Sequence, residues 1–131
     1  MKWITREKVK VDRVACPWLI RKFIDPKAEF VFLPADTDWS KITEGIVYDV
    51  PNCELGHYDE NVSFDSILKK YRLSDPALNL LGEIVRAADS HPSVAHGFAS
   101  FGWNDQEILA REGMVYDALY AECRRRVQTS G

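Results

Sequence analysis

Asp12-Arg13-Val14-Ala15-Cys16-Pro17-Trp18-Leu19-Ile20-Arg21-Lys22-Phe23-Ile24-Asp25-Pro26 is the stretch on which the fold turns. Pro17 suits the first position of a helix, where its missing N–H loses nothing. Trp18, Leu19 and Phe23 recur at helical spacing, and Asp25 before Pro26 marks a stop, so the spacing predicts a helix over 17–24. Upstream, Trp3-Ile4-Thr5 reads as a strand, and Lys8-Val9-Lys10-Val11-Asp12 alternates like another. Downstream, Glu29-Phe30-Val31-Phe32-Leu33 is β-branched and aromatic between Pro26 and Pro34, which marks a strand. A helix thus lies between strands, and it carries a thiol, an indole and two guanidinium groups. A core helix needs no such density of reactive and cationic groups, so the stretch is also a site candidate.

Beyond it, Ile46-Val47-Tyr48-Asp49-Val50 gives a further strand ended by Pro51, with 35–45 as loop or irregular helical turn. After the polar loop 51–62 the chain turns helical. Ser63 is placed to cap a helix running through Tyr71. Asp75-Pro76 is an N-cap followed by proline at N1, opening a helix with Leu78, Leu81, Ile84 and Val85 on one face and an end near Asp89. Asn104 with Glu107 three residues on starts the longest helix. Its stripes Ile108/Val115/Leu119 and Leu109/Tyr116/Tyr120/Cys123 face a core, and Arg124-Arg125-Arg126 fall where a helix C-terminus favours cations. The expected fold is α+β: one domain over residues 1–131, a small sheet of short strands covered by several helices.

The 131 residues suffice for a core without staples, and an apolar fraction of 46% with four tryptophans belongs to a globular chain. Three cysteines, an odd number, suggest no disulfide framework and a reducing compartment. The start Met-Lys-Trp-Ile-Thr-Arg lacks the apolar core of a signal peptide, and no run approaches a membrane span. A cytoplasmic protein is expected. The net charge of −3 hides an asymmetry: residues 1–27 hold eight Lys/Arg against three Asp/Glu, and residues 28–68 one lysine against nine acids. These are either faces that solvate the domain or a basic rim for a small anion beside an acidic region for a cation. The basic residues are too few and scattered for a nucleic-acid site.

Three groups could carry chemistry. Cys16 is the candidate catalytic nucleophile, since a helix N-terminus with Arg13 near it favours the thiolate. Its alternative is a small buried hydrophobe. The loop Pro51-Asn52-Cys53-Glu54-Leu55-Gly56-His57-Tyr58-Asp59-Glu60 is rich in metal-ligand types. Glu54 and His57, three apart, could meet one ion where the backbone turns, although such pairs also occur in plain surface loops. His91 and His96 are each followed by a helix breaker, Pro92 and Gly97, which suggests a surface turn rather than a metal-binding helix. Asp89, just upstream, caps, pairs with Arg86 or binds a cation. No phosphate loop, nucleophile elbow or dinucleotide fingerprint occurs.

The segment from Trp3 to Lys8, then the block from Val11 to Pro26, resembles the opening of the ChrB-type chromate-resistance domain. So do Leu55-Gly56-His57 with Ser63-Phe64-Asp65, Tyr71 to Leu78, Ile84-Val85-Arg86 and Gly113-Met114-Val115-Tyr116-Asp117-Ala118-Leu119-Tyr120. Positions where the family pattern often adds a histidine and a cysteine hold Tyr58 and Val62 here. The resemblance implies association with chromate resistance. Longer family members act as regulators and carry a further N-terminal region, so it does not imply DNA-linked regulation by these residues alone. On this basis His57 is the expected metal ligand, completed by Glu54 and Asp89 and occupied by a divalent ion such as Zn²⁺, Mn²⁺ or Fe²⁺. Arg13 and Arg21 would attract chromate or a similar oxyanion, Arg in bidentate fashion. Cys16 would serve as a soft ligand or reductant. The leading expectation is a metal- or oxyanion-binding accessory or sensor domain of the stress response. The alternatives are a metal- or thiol-dependent reductase or hydrolase, and a protein-binding module that forms a homodimer through Trp18 or Trp103.

Overall fold

The computed structural model describes residues 1–8, 12–56, 62–90 and 93–130, with the side chains of Asp12, Arg13, Ser90 and Ser130 outside the description. In chain order the elements are β1 (Lys2–Arg6), α1 (Asp12–Phe23), β2 (Glu29–Leu33), a 3₁₀ turn at Trp39–Lys41, β3 (Ile46–Val47), α2 (Ser63–Lys70), α3 (Pro76–Ser90), α4 (Ser93–Ala99) and α5 (Asp105–Ser130). The strands form a parallel sheet in the order β2-β1-β3. The α+β class expected from the sequence stands.

β1 is the middle strand, and Trp3, Ile4 and Thr5 are all buried, as a parallel strand covered on both faces requires. The register pairs Trp3 with Phe30 on one side and Ile46 on the other, which aligns these side chains in one row. That row meets the helices, where Trp3 and Phe30 join Leu19, Ile20, Phe64, Ile67, Leu78 and Leu81 in the core. Trp3 packs on Tyr71 at 6.0 Å and donates its indole N–H to Asp25 Oδ2 at 3.1 Å. That hydrogen bond, with the N-terminal ammonium at 3.5 Å, holds the Asp25 carboxyl below its ordinary range.

α1 differs from expectation at its start. It begins at Asp12, and Pro17 stands inside it. The proline offers no N–H to the carbonyl four residues back, a loss tolerated so near the first turn. A proline there leaves the same local signature as one at N1, so the sequence pattern placed the start five residues late. The expected strand over 8–12 is not formed at its ends: Lys8 lies in a bend with φ 62° and Asp12 is helical, while residues 9–11 lie outside the description. The stop is as expected, since the Asp25 amide bonds Ile20 O and Pro26 follows.

The downstream elements follow the sequence closely, with four corrections. Asp75 Oδ1 accepts the Ala77 amide at 2.9 Å, and Asn104 and Glu107 exchange side-chain-to-backbone bonds as a capping box. Ser63, however, is the first residue of α2 and not its cap: its hydroxyl turns to Asp49, and Asp65 reaches back to the Val62 amide instead. Residues 93–99 form a short helix where a turn was expected, Gly97 facing open space. α5 runs past the arginine triplet to Ser130, and Arg125 and Arg126 close on Glu122 rather than on a helix end. Val115, expected in the core stripe, is 41% exposed.

Candidate functional site

In a parallel sheet the strand ends that point the same way make a common edge, and a crevice opens where neighbouring connections diverge. Here that point is the carboxyl end of β1: α1 carries the chain to β2 on one side, while β3 flanks β1 on the other. Buried polar side chains gather there. Thr5 and Ser63 are fully buried and Asp49 is 8% exposed. The Tyr48 amide bonds Ile4 O, which sets Tyr48 and Asp49 just past the end of β3 beside Thr5. The Ser63 hydroxyl donates to Asp49 Oδ1 at 2.7 Å. Asp49 has φ 51°, a left-handed conformation that aspartate tolerates better than most residues, and its amide bonds Leu55 O at 2.8 Å.

The same edge holds Gly56 and Val62, the described residues on either side of 57–61. Ser66 Oγ donates to Gly56 O at 2.6 Å, and Asp65 Oδ2 accepts the Val62 amide at 3.2 Å and Arg86 Nε at 3.3 Å. This carboxylate is seated against α3: a Cβ added to Gly82 would lie 2.8 Å from Asp65 Oδ1. Only glycine lets the two helices approach around that group.

His57 lies outside the described residues, as do His91 and the side chain of Arg13. Cys16 is fully buried in the second turn of α1, away from the helix N-terminus on which thiolate stabilisation was argued. Arg21 is exposed near the other end of α1, its guanidinium 4.7 Å above the Phe30 ring and 3.4 Å from Ala28 O. Glu54 is exposed and closes on Lys70 Nζ at 2.7 Å. Asp89 is exposed near the end of α3, and Arg86 pairs with Asp65 instead of with it. Among the described residues no three His, Cys, Asp or Glu side chains converge as a metal group. Cys53 is half-buried beside Gly56, and burial pushes its thiol up from the ordinary value.

Two features escaped the sequence pattern. Lys69, Lys70 and Arg72 surround a shallow polar cleft of about 590 Å³ with Glu54, Asp65 and Ser66, beside the Gly56 end of the loop. Lys69 and Lys70 come from the last turn of α2 and Arg72 from the turn that follows it, where they read as ordinary helix-end residues. Second, the block around Cys16-Pro17-Trp18 meets the 113–120 segment directly. Trp18 Nε1 donates to Asp117 Oδ1 at 2.8 Å and Lys22 pairs with the same oxygen at 3.2 Å. Those partners hold the Asp117 carboxyl below its usual range, the indole bond first. Pro17, Arg21 and Gly113 border a groove of about 230 Å³ there.

The architecture and this edge define a small α+β domain with a parallel βαβ core and a buried polar cluster at the strand ends. A family model described as the C-terminal domain of ChrB matches residues 3–123, and the chain belongs to that family. Protein ChrB of Cupriavidus metallidurans is 33% identical over 129 residues, which cover 90% of this chain and 39% of that protein. The chain therefore spans about two fifths of this relative's length. No solved structure gives a significant match. No helix among the described residues is long and apolar enough to cross a membrane.

Proposed function

We propose that this domain contributes to chromate resistance in the cytoplasm as an accessory or sensor domain that binds a divalent metal ion or an oxyanion. The observation that carries the reading is the family match over residues 3–123, read with the position of its most distinctive segments. The link from β1 to α1, which leads to Arg13, and the loop of His57 both join elements that end at the carboxyl edge of the sheet. His57 is the proposed primary ligand of Zn²⁺, Mn²⁺ or Fe²⁺, with Glu54 and Asp89 as oxygen donors. For Glu54 this means exchanging Lys70 for the ion. An oxyanion would be drawn by Arg13, with Lys69, Lys70 and Arg72 adding positive field at the adjoining cleft. Arg21, stacked on Phe30 at the far end of α1, acts in this reading through long-range charge.

A thiol-dependent reaction at Cys16 would require α1 to lift from the core before a reagent reached Sγ. The binding reading therefore ranks above the enzymatic one. Elemental analysis of untagged protein, beside His57→Ala, tests it. The expected result is stoichiometric metal in the wild type and its loss in the variant. Metal-free wild type that also ignores added Zn²⁺, Mn²⁺ and Fe²⁺, and that binds no chromate in equilibrium dialysis, overturns it.

A further inference from the structure

Away from the sheet, α3, α4 and α5 enclose a second cavity of about 190 Å³. α3 supplies Val85 and Ala88, α4 supplies Ala95 and Phe98, and α5 supplies Tyr116 and Leu119. The one charged residue in its wall is Glu112 of α5. Glu112 is 7% exposed and makes no hydrogen bond or ion pair among the described residues. No titratable side chain from α3 or α4 lines the cavity. Among the described residues the protein supplies no donor or cation to this carboxylate, whose oxygens meet only solvent at the mouth and the apolar wall around it, and such a group gains from a cationic partner. The cavity also has the size that accepts a small ring, since an apolar cavity of about 150 Å³ holds benzene. Its mouth is edged by exposed Val94 and Val115, so access requires no opening of the core.

We infer that the α3–α4–α5 cavity is a binding site for a small organic cation, an amine on an apolar body of about ring size, with Glu112 as the counter-charge. The apolar walls take the body and the carboxylate takes the ammonium, which supplies the partner the fold omits. Burial pushes the Glu112 carboxyl up to about 7, so the free site is partly protonated near neutrality and binding of the cation releases a proton. The cavity shares no lining residue with the proposed metal and oxyanion groups, although Ala88 of its wall directly precedes Asp89.

Benzylamine and its neutral analogue benzyl alcohol, titrated against the intact chain by NMR or calorimetry, provide the test. Benzylamine is expected to bind more tightly than the alcohol, and to weaken roughly tenfold from about pH 8 to about pH 5.5 as the carboxyl protonates. Glu112→Gln should lose about tenfold or more for the amine while holding the alcohol unchanged. Ala88→Leu, which fills the cavity and keeps the carboxylate, should abolish both. Equal affinity for amine and alcohol, an amine affinity unchanged by Glu112→Gln, or no binding of either compound overturns the inference. Circular dichroism of each variant ensures that a loss is read on folded protein, and Ala88→Leu decides the matter should Glu112→Gln unfold.

Discussion

Asp49 and Glu112 are hidden to nearly the same degree, 8% and 7% exposed, yet the fold treats them in opposite ways. Asp49, at the carboxyl end of the sheet, accepts the Ser63 hydroxyl at 2.7 Å, and its left-handed backbone is tied to Leu55. Glu112, among three helices, sits in an apolar wall with its oxygens at the mouth and no partner among the described residues. Burial sets the cost of a carboxylate, and partners decide whether that cost persists. The strand-end acid is therefore part of the architecture. The helix acid is a group left in want of something.

Removing the donor from the satisfied acid is the strongest way to break this contrast. Ser63→Ala should lower stability by about 2 kcal/mol in urea unfolding, because it removes one charge-assisted donor from a buried carboxylate. A change below about 0.5 kcal/mol would mean that the Ser63 bond contributes little to holding Asp49 at the strand ends.

Glu112→Gln should act in the opposite direction. Its carboxyl is raised from 4.5 to about 7. Below 4.5 it is neutral folded or unfolded, and its favourable contribution is complete; as pH climbs through about 7 the folded chain must ionise a buried group and that contribution is lost. The variant should therefore gain roughly 1–2 kcal/mol over the wild type near pH 8 and nothing near pH 4.5. Asp25, Asp117 and Glu122 have lowered values, Glu122 to about 2, so their stability is present above the ordinary carboxylate range and disappears in acid. The Glu112 effect is accordingly read between pH 4.5 and 7, above the acid limb. Identical pH profiles for the two proteins would remove the premise.

The smallest effect sharpens the comparison at Thr5. Its Oγ1 is fully enclosed at the strand-end edge and has no hydrogen-bond partner among the described residues. Thr5→Val, which keeps the shape, should be neutral or stabilise by about 0.5–1 kcal/mol in thermal unfolding. A loss of that size would instead assign the hydroxyl a partner at the crevice.

How much of this was legible depended on whether the signal was local. The Asp75-Pro76 and Asn104–Glu107 caps involve neighbours in sequence, and both formed as read. Pro17 misled because a proline a turn and a half into a helix looks, in sequence, like one at its start. Ser63 misled because its hydroxyl had a better acceptor fourteen residues away, which no local pattern reveals. α4 was hidden by Gly97, a weak helix former near buried Ala95 and next to Phe98, whose ring stacks on Trp103. Glu112 left a trace that went unused: it sits four residues from both Ile108 and Tyr116, a charge on the buried stripe of an otherwise polar helix. For the proposed site, Glu54, Asp89, Cys16 and Arg21 could be placed, whereas His57 and the Arg13 side chain fall outside the described residues.

The strand order has a consequence for how the chain comes off the ribosome. β1 is made first but sits in the middle, and Trp3 must wait 27 residues for Phe30 and 43 for Ile46. During that interval a strand with Trp3 and Ile4 side by side has both hydrogen-bonding edges open, the condition under which nascent chains pair with the wrong neighbour. The intervening helix gives early local structure, yet the sheet cannot close until β3 has emerged. Synthesis rate and chaperone occupancy while residues 1–50 emerge should thus govern the yield of folded domain more than anything in α5.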